Sequence, residues 1–132
     1  MKIEDHLRNI NESLDVINES IQKGILERQR NIGFNASVAS VEMLEVFLRK
    51  NNLINPGSII KHDWFASERK ANEKLPFDFP EKEKITRILI DIENKRSLLC
   101  YGKPQETETI ESVISSFNKI KSLFESLGLK WN

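Results

Sequence analysis

Apolar residues recur along this chain at helical spacing, and nowhere do they alternate as a half-buried strand would. In the first segment, about residues 2 to 23, Ile3, Leu7, Ile10, Leu14, Ile17 and Ile21 alternate by four and three, a narrow seam suited to packing along another helix. The second segment, about 25 to 51, is different in kind. On a wheel of about 100° per residue, Ile25, Ile32, Ala36, Ala39, Met43, Val46 and Phe47 cover one face, while Phe34, Val41, Leu44 and Leu48 cover much of the opposite one. Only a band around Asn35, Glu42, Glu45 and Arg49 reads as solvated. A helix apolar over most of its girth is expected at the centre of a core, or shared between a core and a partner. The small residues Gly33, Ser37 and Ser40 would let a neighbouring helix approach closely, either within the chain or across a dimer.

The Asn55-Pro56-Gly57 turn introduces a third segment with Ser58 as its expected N-cap and Ile60, Trp64, Ala71 and Leu75 as its stripe. Two prolines then forbid a continuous helix through Leu75-Pro76-Phe77-Asp78-Phe79-Pro80, and its aromatics should pin the loop to the core. Asp78 and Glu81, flanking Pro80, resemble a capping box that opens a fourth helix, with Gly102 as a left-handed stop after Tyr101. A fifth, about 107 to 129, carries Ile110, Val113, Ile114, Phe117, Ile120 and Phe124 on one face. Short links favour antiparallel neighbours, so the expected fold is all-α, an up-and-down bundle of four to five helices forming one domain over residues 1–132.

Composition narrows the function classes. Twenty basic and twenty acidic residues cancel, so any polyanion site must be local rather than a property of the whole surface. The single cysteine excludes an intrachain disulfide and a multi-thiolate metal site. Cys100 reads as a small buried hydrophobe rather than a nucleophile. Glycine-loop, metal-ligand and serine-elbow patterns are absent, and neither a metal nor a cofactor is expected. Met1-Lys2-Ile3-Glu4-Asp5 lacks the apolar stretch of a secretory signal, and no apolar run approaches the roughly 20 residues of a membrane span. A soluble, cytoplasmic protein is the expectation.

One position breaks the pattern. With Ile85 set at zero on the wheel of the fourth helix, Ile88, Leu89, Ile92 and Leu99 fall within about 60° of it and Arg96 falls at about 20°. An unpaired guanidinium in a core costs several kcal/mol. Arg96 must therefore snorkel to solvent, pair internally with Glu93 one turn earlier, or line a cleft that takes phosphate or a partner chain. Tyr101 lies about 140° around the axis from Arg96 on a continuous helix. The two could converge only if the helix unwinds near Gly102 or two copies meet about a two-fold axis.

Glu93-Asn94-Lys95-Arg96-Ser97-Leu98-Leu99-Cys100-Tyr101-Gly102 resembles the signature of HEPN domains, small helical modules with an arginine, four to six intervening residues and a histidine. Arg96 matches the arginine and Gly102 the glycine that commonly follows the histidine. Ser97 stands where a common version has asparagine, and Tyr101 replaces the histidine. Asn35-Ala36-Ser37-Val38-Ala39-Ser40 is similar to the small-residue second helix of the family. The resemblance implies a homodimer whose paired motifs line one cleft. It also implies work on RNA, often as a metal-independent ribonuclease toxin encoded beside a small nucleotidyltransferase partner.

The replacement matters chemically. Histidine titrates near pH 6.5 and can shuttle protons, whereas tyrosine, with an ordinary pKa near 10, is a weak base at pH 7. Arg96 and Tyr101 are thus expected to recognise phosphate first and catalyse second, with Ser97, Lys95 and Lys103 as further RNA contacts. Lys82, Lys84 and Arg87 add positive charge to the same helix, which Glu81, Glu83, Asp91 and Glu93 nearly offset. Of the two histidines, His6 flanks the first seam and reads as solvated. His62, in Lys61-His62-Asp63-Trp64, reads as a surface or capping residue, with a base supplied from elsewhere in the fold as its alternative role. The competing class is a non-enzymatic interaction or scaffold dimer, with Arg96 closing a structural ion pair.

Overall fold

The computed structural model describes residues 1–132 as five α-helices without a strand. They are α1 (Ile3–Lys23), α2 (Gln29–Lys50), α3 (Glu68–Lys74), α4 (Lys82–Cys100) and α5 (Thr107–Ser126), with a 3₁₀ turn at His62–Ala66. As its wheel predicts, α2 is the central element, packed against α1, α4 and α5. Ile32, Ala36, Ala39, Met43, Val46 and Phe47 on one side and Val41, Leu44 and Leu48 on the other are all buried. The small residues serve this packing: a Cβ on Gly33 would stand 2.8 Å from Leu99 Cβ of α4. Ser40 is buried and donates to the Ala36 carbonyl.

α1 is rotated about its axis relative to its isoleucine and leucine seam. Ile10 and Ile17 are buried, but so are His6, Ser13 and Ser20, while Ile21 is exposed. The buried face is therefore turned by roughly 60° toward the small and polar side. α5 keeps its expected face, with Ile110, Val113, Phe117, Ile120 and Phe124 buried. Phe79 stacks against Phe47 at 6.1 Å between ring centroids and Phe47 against Phe124 at 5.8 Å, so the proline-flanked loop is pinned to the core by its aromatics.

Helix ends follow local chemistry, in part against expectation. α2 stops in a Schellman arrangement: Asn52 takes the left-handed φ of 56°, its N–H donates to the Arg49 carbonyl, and Leu53 N–H donates to Leu48. Gly128 ends α5 in the same way. The capping box expected at Asp78 and Glu81 does not form. Asp78 accepts from the neighbouring Phe79 N–H, and Glu81 occupies a left-handed conformation (φ 60°, ψ 23°) in a turn closed by Lys82 N–H to Phe79 O. Proline followed by a positive φ is the type II pattern, and α4 starts one residue later. At its other end Tyr101 is extended (φ −131°, ψ 133°), so the chain has left the helix before Gly102, whose φ is 99°.

The third segment departs most from its expected form. Ser58 closes the Asn55–Ser58 turn instead of capping a helix. Only α3 is α-helical, capped by the Ser67 side chain, which accepts from Lys70 N–H. Between them the 3₁₀ turn, anchored by buried Phe65, lies against α4. No helix is long and apolar enough to cross a membrane.

Candidate functional site

Of the three fates open to Arg96, internal pairing is realised. Its Nη1 donates to Glu93 Oε1 at 3.1 Å, and its guanidinium carbon lies 5.6 Å from the centroid of the Phe34 ring on α2. The side chain is 22% exposed. Its Nε is buried without an acceptor, so Glu93 satisfies only part of a five-donor group. A cation over an aromatic face in a partly desolvated setting gains about 1 kcal/mol, which helps hold the guanidinium in place. Phe34, read as one wall of the central helix, is in fact 48% exposed.

The other oxygen of Glu93 organises a second set of groups. Oε2 accepts from Ser37 Oγ at 2.7 Å and lies 3.0 Å from His62 Nδ1, which also lies 3.2 Å from Ser37 Oγ. Burial alone would raise the Glu93 carboxyl. The hydrogen bonds from His62 and Ser37, the His62 charge and the Arg96 bond outweigh it, so Glu93 titrates below the usual carboxylate range. An ionised carboxylate only accepts, so Nδ1 is the donor in this contact, and whenever the ring is neutral the lone pair lies on Nε2. The ring is a third exposed, and Nε2 has no protein partner and is not buried. The surface role expected of His62 is thus corrected to a half-buried one. The 3₁₀ turn delivers it to α2 and α4, which a continuous helix from Ser58 would not have done.

Tyr101 is 68% exposed and forms no hydrogen bond with Arg96. It lines a shallow groove of about 400 Å³ with Glu27, Arg28, Arg30, Asn31, Phe34 and Cys100. Phe34 therefore has Arg96 against its ring and the Tyr101 groove beside it. Arg96 itself does not line that groove, so within one chain Arg96 and Tyr101 are not brought together; Phe34 is the residue that both adjoin. Ser97 and Lys103 are exposed on either side of the end of α4. Lys95 points elsewhere: its ammonium binds Asp91 at 3.0 Å and Ser112 of α5, and Ser116 donates to the same Asp91.

His6 also departs from expectation. It is buried between α1 and α2, with Nε2 paired to Glu45 and Nδ1 3.6 Å from Glu42. Glu45, assigned to the solvated band, is buried as well and accepts from Ile60 N–H at 3.2 Å. Burial is the largest influence on Glu42 and raises its carboxyl, against the hydrogen bond from Asn9 and the nearby His6. The Cys100 thiol is pushed up by burial, only partly opposed by Arg96 and Arg30, so it is protonated at neutral pH and a poor nucleophile.

Sequence reasoning missed Ser37, Phe34, Arg28 and Arg30 as parts of this region. The neighbours of His62 are what place it, since Trp64 and Phe65 pack on the core and anchor the turn just after it. Comparison with known protein families, curated proteins and solved structures finds no match to the chain.

Proposed function

We propose that the protein is a HEPN-like helical homodimer that binds RNA or a nucleotide phosphate in a cleft around Arg96 and Tyr101. The observation that carries this reading is the setting of Arg96. Its guanidinium is oriented by Glu93 and Phe34, is not saturated by them, and stands beside a groove to which Arg28 and Arg30 bring further positive charge. A fixed planar fork suits a phosphate, and Phe34 and Tyr101 offer exposed rings on which a base can stack. An up-and-down, antiparallel arrangement is the corresponding fold. In its support, the first turns of α1 meet the last turns of α2 through His6, Glu42 and Glu45, and Asp91 and Lys95 of α4 meet Ser116 and Ser112 of α5. The resemblance further suggests a weak or degenerate metal-independent ribonuclease of a toxin–antitoxin pair, with a small nucleotidyltransferase as partner.

A scaffold dimer with Arg96 in a purely structural ion pair is the second reading, favoured by the Glu93 contact at 3.1 Å. Fluorescence anisotropy with a labelled single-stranded RNA, run beside light scattering for molar mass, separates the two. Binding that weakens with salt, and falls about tenfold or more in Arg96→Ala with the dimer intact, supports the RNA site. No binding by the native protein, or dissociation of the dimer by that substitution, supports the scaffold.

A further inference from the structure

We propose that His62 is the general base of this site, its Nε2 taking the proton of a ribose 2′-hydroxyl while Arg96 holds the adjoining phosphodiester. The inference rests on the RNA-binding reading above and adds the titratable imidazole that position 101 lacks.

Three features of the geometry carry it. Glu93 bridges the two groups, one oxygen on His62 Nδ1 at 3.0 Å and the other on Arg96 Nη1 at 3.1 Å, so base and guanidinium are held in fixed register by one carboxylate. In the neutral ring the carboxylate contact at Nδ1 leaves the lone pair on Nε2, which has no protein partner on a side chain that is a third exposed. Ser37, completing the set, is fully buried, so it cannot be a nucleophile and acts as a positioning residue for Glu93. Glu93 of α4 is the charged group on the ring and itself holds Arg96; Lys61 and Asp63 flank His62 in the chain, with Asp63 bound to Lys70 of α3.

The step balances without a cofactor. His62 Nε2 removes the 2′-hydroxyl proton, and the 2′ oxygen forms a bond to phosphorus as the bond from phosphorus to the 5′ oxygen breaks. That oxygen leaves with a proton from solvent, and the imidazolium returns its own to solvent. The products are a 2′,3′-cyclic phosphate and a 5′-hydroxyl.

The test uses the full chain and a labelled single-stranded RNA of mixed sequence, with cleavage and binding measured in parallel. The native protein should cleave to a cyclic phosphate. His62→Gln should lower the cleavage rate about 100-fold with RNA affinity unchanged, and added imidazole should restore part of the rate to His62→Ala. Glu93→Gln should also lower the cleavage rate, because it loosens the carboxylate that anchors His62 and Arg96 together. Cleavage by His62→Gln at the native rate overturns the inference, as does RNA binding by the native protein without cleavage. In both cases the binding reading stands. Absence of RNA binding by the native protein removes that reading and this one together.

Discussion

Each of the two histidines meets glutamate, and the two clusters are built to opposite ends. His6 lies between α1 and α2 with both ring nitrogens sequestered and two carboxylates, Glu42 and Glu45, crowded against it. His62 meets one carboxylate, keeps a third of its side chain in solvent and leaves Nε2 without a protein partner. The electrostatics differ accordingly. Burial dominates at Glu42 and raises its carboxyl, while at Glu93 the donors His62, Ser37 and Arg96 win over burial and lower it. The first arrangement joins helices at the cost of desolvating its charges. The second keeps its carboxylate charged and a third of its imidazole side chain in solvent, the setting that the proposed proton transfer would need.

The sharpest way to break this contrast is to remove one acid from the sealed cluster. Glu45→Ala takes away the partner of His6 Nε2 and the acceptor of the Ile60 N–H together. Stripping one member from a buried ion pair costs about 3–5 kcal/mol, so urea unfolding should show a large fall in midpoint with little change in slope. A midpoint within error of the native one would mean that the cluster contributes nothing to holding α1 on α2.

The two remaining acids should respond to pH with opposite signs. A lowered Glu93 contributes stability above the usual carboxylate range, and that contribution is lost as pH falls through its folded value. Glu93→Gln should thus cost about 1–2 kcal/mol at neutral pH, with the deficit closing on acidification. A raised Glu42 is the reverse: the fold favours its protonated form, so stability is highest below the usual range and declines as pH rises through the raised value. Glu42→Gln should raise the neutral-pH melting temperature slightly, with the gain vanishing in acid. Melting curves for both variants across pH 3 to 8 (about the span in which carboxylates titrate) check the pair. Parallel curves would refute the contrast.

Why one cluster was half legible in the sequence and the other not follows from where its members lie. The central place of α2 and the buried face of α5 could be read directly, because each is a property of one helix and its period. His6 and Glu45 each looked solvated on their own wheels, and only when α1 turned its small residues Ser13 and Ser20 inward did the two polar patches face each other. Pairing of that kind is a property of two helices and leaves no periodic trace in either. At the candidate site, Arg96 was conspicuous as a charge on an apolar stripe, with Glu93 a turn away. His62 was hidden by its segment, whose apolar spacing predicted a helix from Ser58. The extended conformation of Ser67 instead divides that segment into a 3₁₀ turn and the short α3.

The smallest expected effect tests whether α4 carries Glu93 and Arg96 as a rigid unit. Glu81 enters α4 with φ 60°, a conformation that costs a residue with a Cβ about 1 kcal/mol and glycine almost nothing. Its side chain makes no capping bond, so Glu81→Gly discards no contact that the helix start uses. The substitution should raise unfolding stability by up to about 1 kcal/mol, less a few tenths for the added freedom of glycine in the unfolded chain. RNA affinity should stay at the native value, because Glu93 lies three turns further along the same helix, beyond the reach of a relaxed turn. A loss of stability would show that the Phe79–Lys82 turn holds Glu81 by contacts worth more than its strain. A change in RNA affinity would show that the entry angle of α4 sets the position of Arg96, and that the site depends on the turn at its far end.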